Sequence, residues 1–217
     1  MSASGAGVLQ LRSVEYARTH GVQIHCRSSM DDGPGTVVVS EEDTMEYPLV
    51  TAVTHSTAET RITLLGVPDE PGVAGRIFRT LAEANVNVDM IIQNEPLDDH
   101  RADMSFTVPR EDGRVARETL DAIVGELGIE HVAQQESMGK VSIVGAGMRS
   151  HPGVAATVFT VLGDAGINIE MISTSPIKIS CVIAGDRVPD AVRGLHSAFG
   201  LSGTDTIKAE DPFGDPR

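Results

Sequence analysis

The stretch "VPDEPGVAGRIFRTLAEANVNVDM", Val67 to Met90, returns later in the chain as "MRSHPGVAATVFTVLGDAGINIEM", Met148 to Met171. Each copy reads as a turn, a helix and a β-branched stretch. In the first copy, Val73, Ile77, Leu81 and Ala84 recur at helical spacing, and "VNVDMII" follows as a strand. With an offset of 81 residues, Pro71, Gly72, Val73, Ala74, Phe78, Leu81, Ala84, Asn87 and Met90 recur as Pro152, Gly153, Val154, Ala155, Phe159, Leu162, Ala165, Asn168 and Met171. Two related modules are predicted.

Working outward, the first copy is preceded by a strand, "ETRITLLGV". It is followed by a strand "ADMSFTV", a helix "GRVARETLDAIVGEL" and a strand "EHVAQQES". The order β-α-β-β-α-β is the split β-α-β, ferredoxin-like pattern, an antiparallel sheet with two helices on one face. The second copy runs "KVSIVGAG" strand, helix, "INIEMIS" strand, "IKISCVIA" strand and "PDAVRGLHSAF" helix, and so ends one strand short. Upstream, "LVTAVTHS" is a strand the first module does not need. The fold class is therefore α+β, with two such domains. Residues 49–57 and 139–202 are expected to form the second domain, with the first, 60–138, inserted in it.

Two similar helices on two similar sheets explain the repeated Phe, Leu and Ala. They do not explain a repeated Pro-Gly turn, or Asn87 and Asn168 at matching places. A turn that opens a helix gathers backbone N–H groups at the positive end of the helix dipole, which suits a carboxylate. Glycine lets the main chain come close to it. A free amino acid fits such a place, with its ammonium held by Asp69, Asp89, Glu170 or carbonyls near the Asn residues; a merely structural turn is the alternative reading.

Composition narrows the classes. The 217 residues include no Trp and carry a formal net charge of -14, which disfavours nucleic acid and anionic membrane surfaces. No apolar run approaches the roughly 18 residues of a membrane span, and "MSASGAG" has no signal-peptide layout, so a cytoplasmic protein is expected. Cys26 and Cys181 form no CxxC pair and have no histidine at zinc-like spacing; both read as packed or idle thiols, and no metal or cofactor is expected. "VSIVGAGMRS" offers Gly145 and Gly147 of a dinucleotide fingerprint, but Ser150 stands where a third glycine is needed, and that reading is set aside.

"GVPDEPGVAGRIFRTLAEANVNVDMIIQN" and "VSIVGAGMRSHPGVAATVFTVLGDAGINIEMISTS" resemble the tandem ACT domains of the aspartokinase family, and "VLQLRSVEYARTHGVQIHCRSS" resembles the end of its kinase domain. The resemblance implies that residues 1–47 are a kinase-domain remnant with a linker and that 203–217 are a loose acidic tail. No phosphate loop, kinase lysine or aspartate-binding segment is found, so no catalysis is expected from this chain alone. The likeness is to the regulatory β-type subunit, which some bacteria make from an internal start; an engineered truncation would read the same. Its implied partners are a catalytic α subunit, a second copy in a homodimer, and end-product amino acids as feedback effectors. A free-standing ACT-domain sensor controlling another partner is the alternative.

Carried over by resemblance, a threonine site would use Asp69, Pro71, Gly72, Val73, Ala74 and Gln93, with Asn168 and Ile169 from a neighbouring ACT domain. A mirrored lysine site would use Met148, Ser150, His151, Pro152, Gly153 and Val154, with Asn87, Val88 and Asp89. His151 reads equally as an exposed turn residue. This chain departs from the family pattern at Pro176, after "STS", and at "QNEP", residues 93–96.

Overall fold

The computed structural model describes residues 1–38, 49–94, 100–145 and 153–201. An opening helix α1 (Leu11–Thr19) precedes a hairpin of β1 (Ile24–Cys26) and β2 (Thr36–Val38). Within the stretch read as kinase-domain remnant and linker, "DDGPG" folds Thr36–Val38 back as a second strand. Of α1 only Ala17 is buried, while Val8, Tyr16 and Met30 are exposed, as one helix and a hairpin cannot enclose a core.

The body follows as β3 (Ala52–Pro68), α2 (Val73–Glu83), β4 (Asp89–Gln93), β5 (Arg101–Pro109), α3 (Gly113–Ile123) and β6 (His131–Val144). Next come α4 (Gly153–Asp164), β7 (Met171–Ser175), β8 (Lys178–Ala184) and α5 (Val188–Ala198). Both copies of the β-α-β-β-α-β pattern are present. Asn87 and Asn168 lie just ahead of β4 and β7 rather than within them.

The two expected sheets are one. Six strands run in the order β4-β5-β3-β6-β8-β7, and every neighbouring pair is antiparallel. "LVTAVTHS" and "ETRITLLGV", expected as separate strands, are continuous in β3; "EHVAQQES" and "KVSIVGAG" are continuous in β6. No Gly or Pro stands between Ala52 and Arg61 to break β3, so the chain stays extended and adjusts by register shifts at Ser56, Glu59 and Arg61. In β6 the adjustment falls at Ser137, which takes φ 62. The first part of β3, Ala52–Ser56, ladders with Lys140–Val144 of β6; its later part, Glu59–Pro68, ladders with β5.

Under α2 and α3, Ile62, Leu64, Phe106, Ile77, Leu81 and Leu120 form one core, with Phe78 set edge-on to Phe106 at 5.5 Å between ring centroids. Under α4 and α5, Ile143, Ile183, Val158, Leu162 and Leu195 form another. A third cluster was not expected. Met90, Met138, Met171 and Val182, with Ile92 against them, pack apart from both helical cores. In β8, Val182 stands between Cys181 and Ile183, so alternation turns it to the face away from the helices. Part of that face is buried as well, where the edge strands β4 and β7 approach each other.

Cys181 lies in the second helical core, where burial pushes its thiol up to about 12 and keeps it protonated. Gly145, half of the dinucleotide look-alike, has a packing reason: a Cβ there would overlap the Leu49 carbonyl oxygen and come within 2.8 Å of Val50 Cα. Gly145→Ala is expected to cost about 1–3 kcal/mol in urea unfolding, since main chain rather than a flexible side chain must give way.

Candidate functional site

The Pro-Gly turn of the first module connects β3 to α2. Its shape is set by Gly72, which takes φ 98 and ψ -15 and leads into Val73 at the head of the helix. A side chain at that φ would be strained, although open space surrounds the position. Glycine brings no capping group, and α2 begins without a side-chain cap; Val73 N–H donates back to Glu70 O at 3.3 Å, and the N–H groups that follow it in the first turn of the helix face the loop. The turn is anchored at its other end, where Asp69 N–H donates to His100 O at 2.7 Å.

A cavity of about 460 Å³ opens here, lined by Val67, Pro68, Asp69, Glu70, Pro71, Gly72, Val73, Ala74, Gln93 and Met104. Its size lies within the roughly 300–1,000 Å³ of small-molecule sites. Gln93 reaches the cavity because β4 lies beside β5, where Gln93 pairs in register with Met104. The lining is two-natured. Asp69, Glu70 and Gln93 supply polar groups, and Val67, Val73 and Met104 an apolar wall.

Six residues assigned from the sequence, Asp69, Pro71, Gly72, Val73, Ala74 and Gln93, thus line one cavity. Asn168 and Ile169 are not among its lining residues; they lie in the α4–β7 connection of the other module. Val67, Pro68, Glu70 and Met104 were missed. Glu70 belongs to the turn itself; Val67 and Pro68 close β3 and Met104 stands on its partner β5, where nothing in the local pattern separates a cavity wall from a core position.

Of the mirrored site, Met148, Ser150, His151 and Pro152 lie outside the described residues, while Gly153 and Val154 begin α4. Asn87 and Val88 precede β4, and Asp89 opens it. The Asp89 carboxylate already has a cation: Lys140 Nζ lies 2.7 Å from its Oδ2 and 3.1 Å from Glu59 Oε1. Burial alone would raise the Asp89 carboxyl, but the hydrogen bond and charge of Lys140 outweigh it and the net shift is downward. Burial alone would lower Lys140, yet its two carboxylates hold it above the ordinary value. Among the described residues no cluster of His, Cys, Asp and Glu could hold a metal, and no helix is long and apolar enough to cross a membrane.

The ACT domain family matches residues 61–127 and, as a second ACT model, residues 141–199. An aspartokinase from Mycolicibacterium smegmatis is 49% identical over 208 residues, 94% of this chain and 49% of that protein. A structure of aspartokinase alpha and beta subunits contains a chain 46% identical to this one, with a TM-score of 0.65, matched over 99% of its length and 70% of this chain. The chain belongs to the aspartokinase family. It is a regulatory region of that family, built from two ferredoxin-like ACT domains with the first inserted in the second. The ligand-free regulatory subunit of aspartate kinase from Thermus thermophilus is 40% identical, with a TM-score of 0.65 over 99% of its length and 70% of this chain. The aspartokinase regulatory region spans about half the length of the curated relatives it matches.

Proposed function

We propose that this chain senses end-product amino acids for an aspartokinase and transmits feedback inhibition to a catalytic partner subunit. Threonine occupies the cavity at the β3–α2 turn. The observation that carries this reading is the convergence of Asp69, Gly72, Val73, Ala74 and Gln93 on one cavity at a helix start. The effector carboxylate caps the first N–H groups of α2. Its ammonium is held by the acidic side of the turn, Asp69 and Glu70, and Gln93 offers both a donor and an acceptor to the hydroxyl.

One chain builds only one wall of this site, because Asn168 and Ile169 lie elsewhere. A second copy closes it in a homodimer. Strands β4 and β7 each have one neighbour in the sheet, and each exposes an isoleucine at the same place in the repeat, Ile91 and Ile172. Edge pairing would cover both. Effectors that bind the closed arrangement more tightly shift the population towards it, and that arrangement holds the catalytic partner inactive. Lysine takes the mirrored seam at Asn87, Val88 and Asp89, where its ammonium competes with Lys140 for the Asp89 carboxylate.

Calorimetry with threonine, lysine and methionine, singly and in pairs, tests the reading. Threonine binds, and Gln93→Ala weakens it about tenfold, the loss of one polar pairing. Unchanged affinity in that variant removes Gln93 from the site; no heat with threonine discards the threonine assignment, and no heat with any of the three discards the sensor reading.

A further inference from the structure

Asn168 stands before β7 on the module that does not line the cavity, and its exposed side chain has a partner within this chain. Its Nδ2 donates to Glu170 Oε1 at 2.9 Å. The other carboxylate oxygen, Oε2, accepts from Arg61 Nη1 at 2.7 Å. Arg61 comes from β3, within the first module, and its Nη2 donates to Gln135 Oε1 of β6 at 2.7 Å. The relay Gln135, Arg61, Glu170, Asn168 therefore runs from the central shared strands of the sheet to the end of the α4–β7 connection. We propose that Arg61 is a positioning residue for the effector seam: acting through Glu170, it sets which way the Asn168 amide faces. This rests on the threonine reading above.

The chemistry of the relay decides the direction. A carboxylate can only accept, so Asn168 must turn its NH2 towards Glu170, and the amide oxygen is what the side chain offers to a ligand. That oxygen suits an effector's ammonium or hydroxyl. Without Arg61, no side chain among the described residues holds Glu170 at Oε2, and Asn168 would lose the positioned acceptor that orients it. The guanidinium fork matters because it grips Gln135 and Glu170 at once, which a lysine ammonium on a flexible stem does with less definition. Both charged side chains are partly shielded, 23% exposed for Arg61 and 28% for Glu170, so the pair is better defined than a surface bridge.

The opposite seam has a counterpart. The 81-residue offset that relates the modules carries Asp89 onto Glu170. Each acid is met by a cation from the first strand of the other module, Arg61 on β3 and Lys140 on β6. The two seams are thus each tied to the module across the sheet. Lys140 is the deeper of the two and is shared with Glu59, which makes it a lock between modules; Arg61 is the cation that ends on an amide beside a seam.

The test has a ligand-free arm and a binding arm, both on the full chain. In 15N spectra without effector, the Asn168 side-chain amide of the wild type is shifted and exchanges slowly, and Arg61→Ala moves it towards the free-asparagine position. In calorimetry, Arg61→Ala raises the threonine Kd about tenfold, the scale of a charge-assisted hydrogen bond, and Arg61→Lys recovers part of the loss. The double variant Arg61→Ala with Asn168→Ala binds no more weakly than Asn168→Ala alone, whereas a purely structural bridge gives additive losses. Glu170→Gln serves if Arg61→Ala fails to fold, since an amide there lets Asn168 face either way and weakens threonine similarly. An unmoved Asn168 resonance, or wild-type affinity in Arg61→Ala and Glu170→Gln, overturns the positioning role while leaving the threonine site standing. A wild type that binds no threonine, with the resonance still responding to Arg61, overturns the effector reading and its use of the relay, not the relay itself.

Discussion

Lys140→Ala is expected to destabilise the chain by about 3–5 kcal/mol, the cost of removing one member of a buried ion cluster. The Lys140 side chain is 8% exposed, and Glu59 beside it 9%. Truncation leaves the Glu59 carboxylate away from water with no cation. Asp89, 48% exposed, can rehydrate and adds little to the loss. The double change Lys140→Met with Glu59→Leu removes the charge and its orphan together, and is expected to lie close to wild type. Urea unfolding measures both. If Lys140→Ala lies within 1 kcal/mol of wild type, roughly the worth of an exposed pair, the cluster is not holding the modules together.

The pH dependence has a definite sign. Asp89 titrates below its ordinary 3.8, so the stability it contributes is present above 3.8 and lost as pH falls through its folded value. Lys140 titrates above its ordinary 10.5, so its contribution is present below 10.5 and lost as pH rises through its folded value. The stability gap between wild type and Lys140→Ala is therefore flat across neutral pH and narrows on both the acid and the alkaline side.

Phe106→Ala and Leu162→Ala are expected to cost about 3–5 and 2–5 kcal/mol respectively, as transfer and cavity terms combine at fully buried sites. The two residues belong to different helical cores, one in each module. Even so, both substitutions should lower a single unfolding transition. Strands β3 and β6 pass through both modules, and the methionine cluster joins β4 to β6, β7 and β8. One half cannot unfold without freeing the strands that complete the other. Residue-resolved NMR during urea titration checks this at Ile62 and Ile183, one reporter per core. Coincident midpoints are expected in both variants; a Phe106→Ala chain that loses Ile62 while keeping Ile183 would show independent modules.

Much of the architecture was legible because it is local. Helical spacing located α2, α3, α4 and α5, and the single missing strand of the second copy pointed to the segment that now ladders with Lys140–Val144. The turn at Asp69–Ala74 was legible as a strand-to-helix turn, since Pro71-Gly72 punctuates two periodic stretches. Gln93 came from the resemblance, and the register of β4 on β5 is what carries it to the cavity. The joined strands were not legible. A stretch such as "THSTAET" is compatible with an exposed connection or a continuing strand, and only the partners on either side decide.

The sequence by itself determined the repeated modules, the order of their elements and the turn chemistry, because each depends on neighbours within a few residues. Tertiary structure alone decided which side of the sheet meets water. Alternation reports that successive side chains point opposite ways, not what each side will meet. The unbroken run "ISCVIA" in β8 was the one local hint that both faces are covered. Lys140, Asp89, Arg61 and Glu170 gave no such hint, since a charged residue in or beside a strand looks alike whether it faces solvent or an opposite charge brought from 51 or 109 residues away.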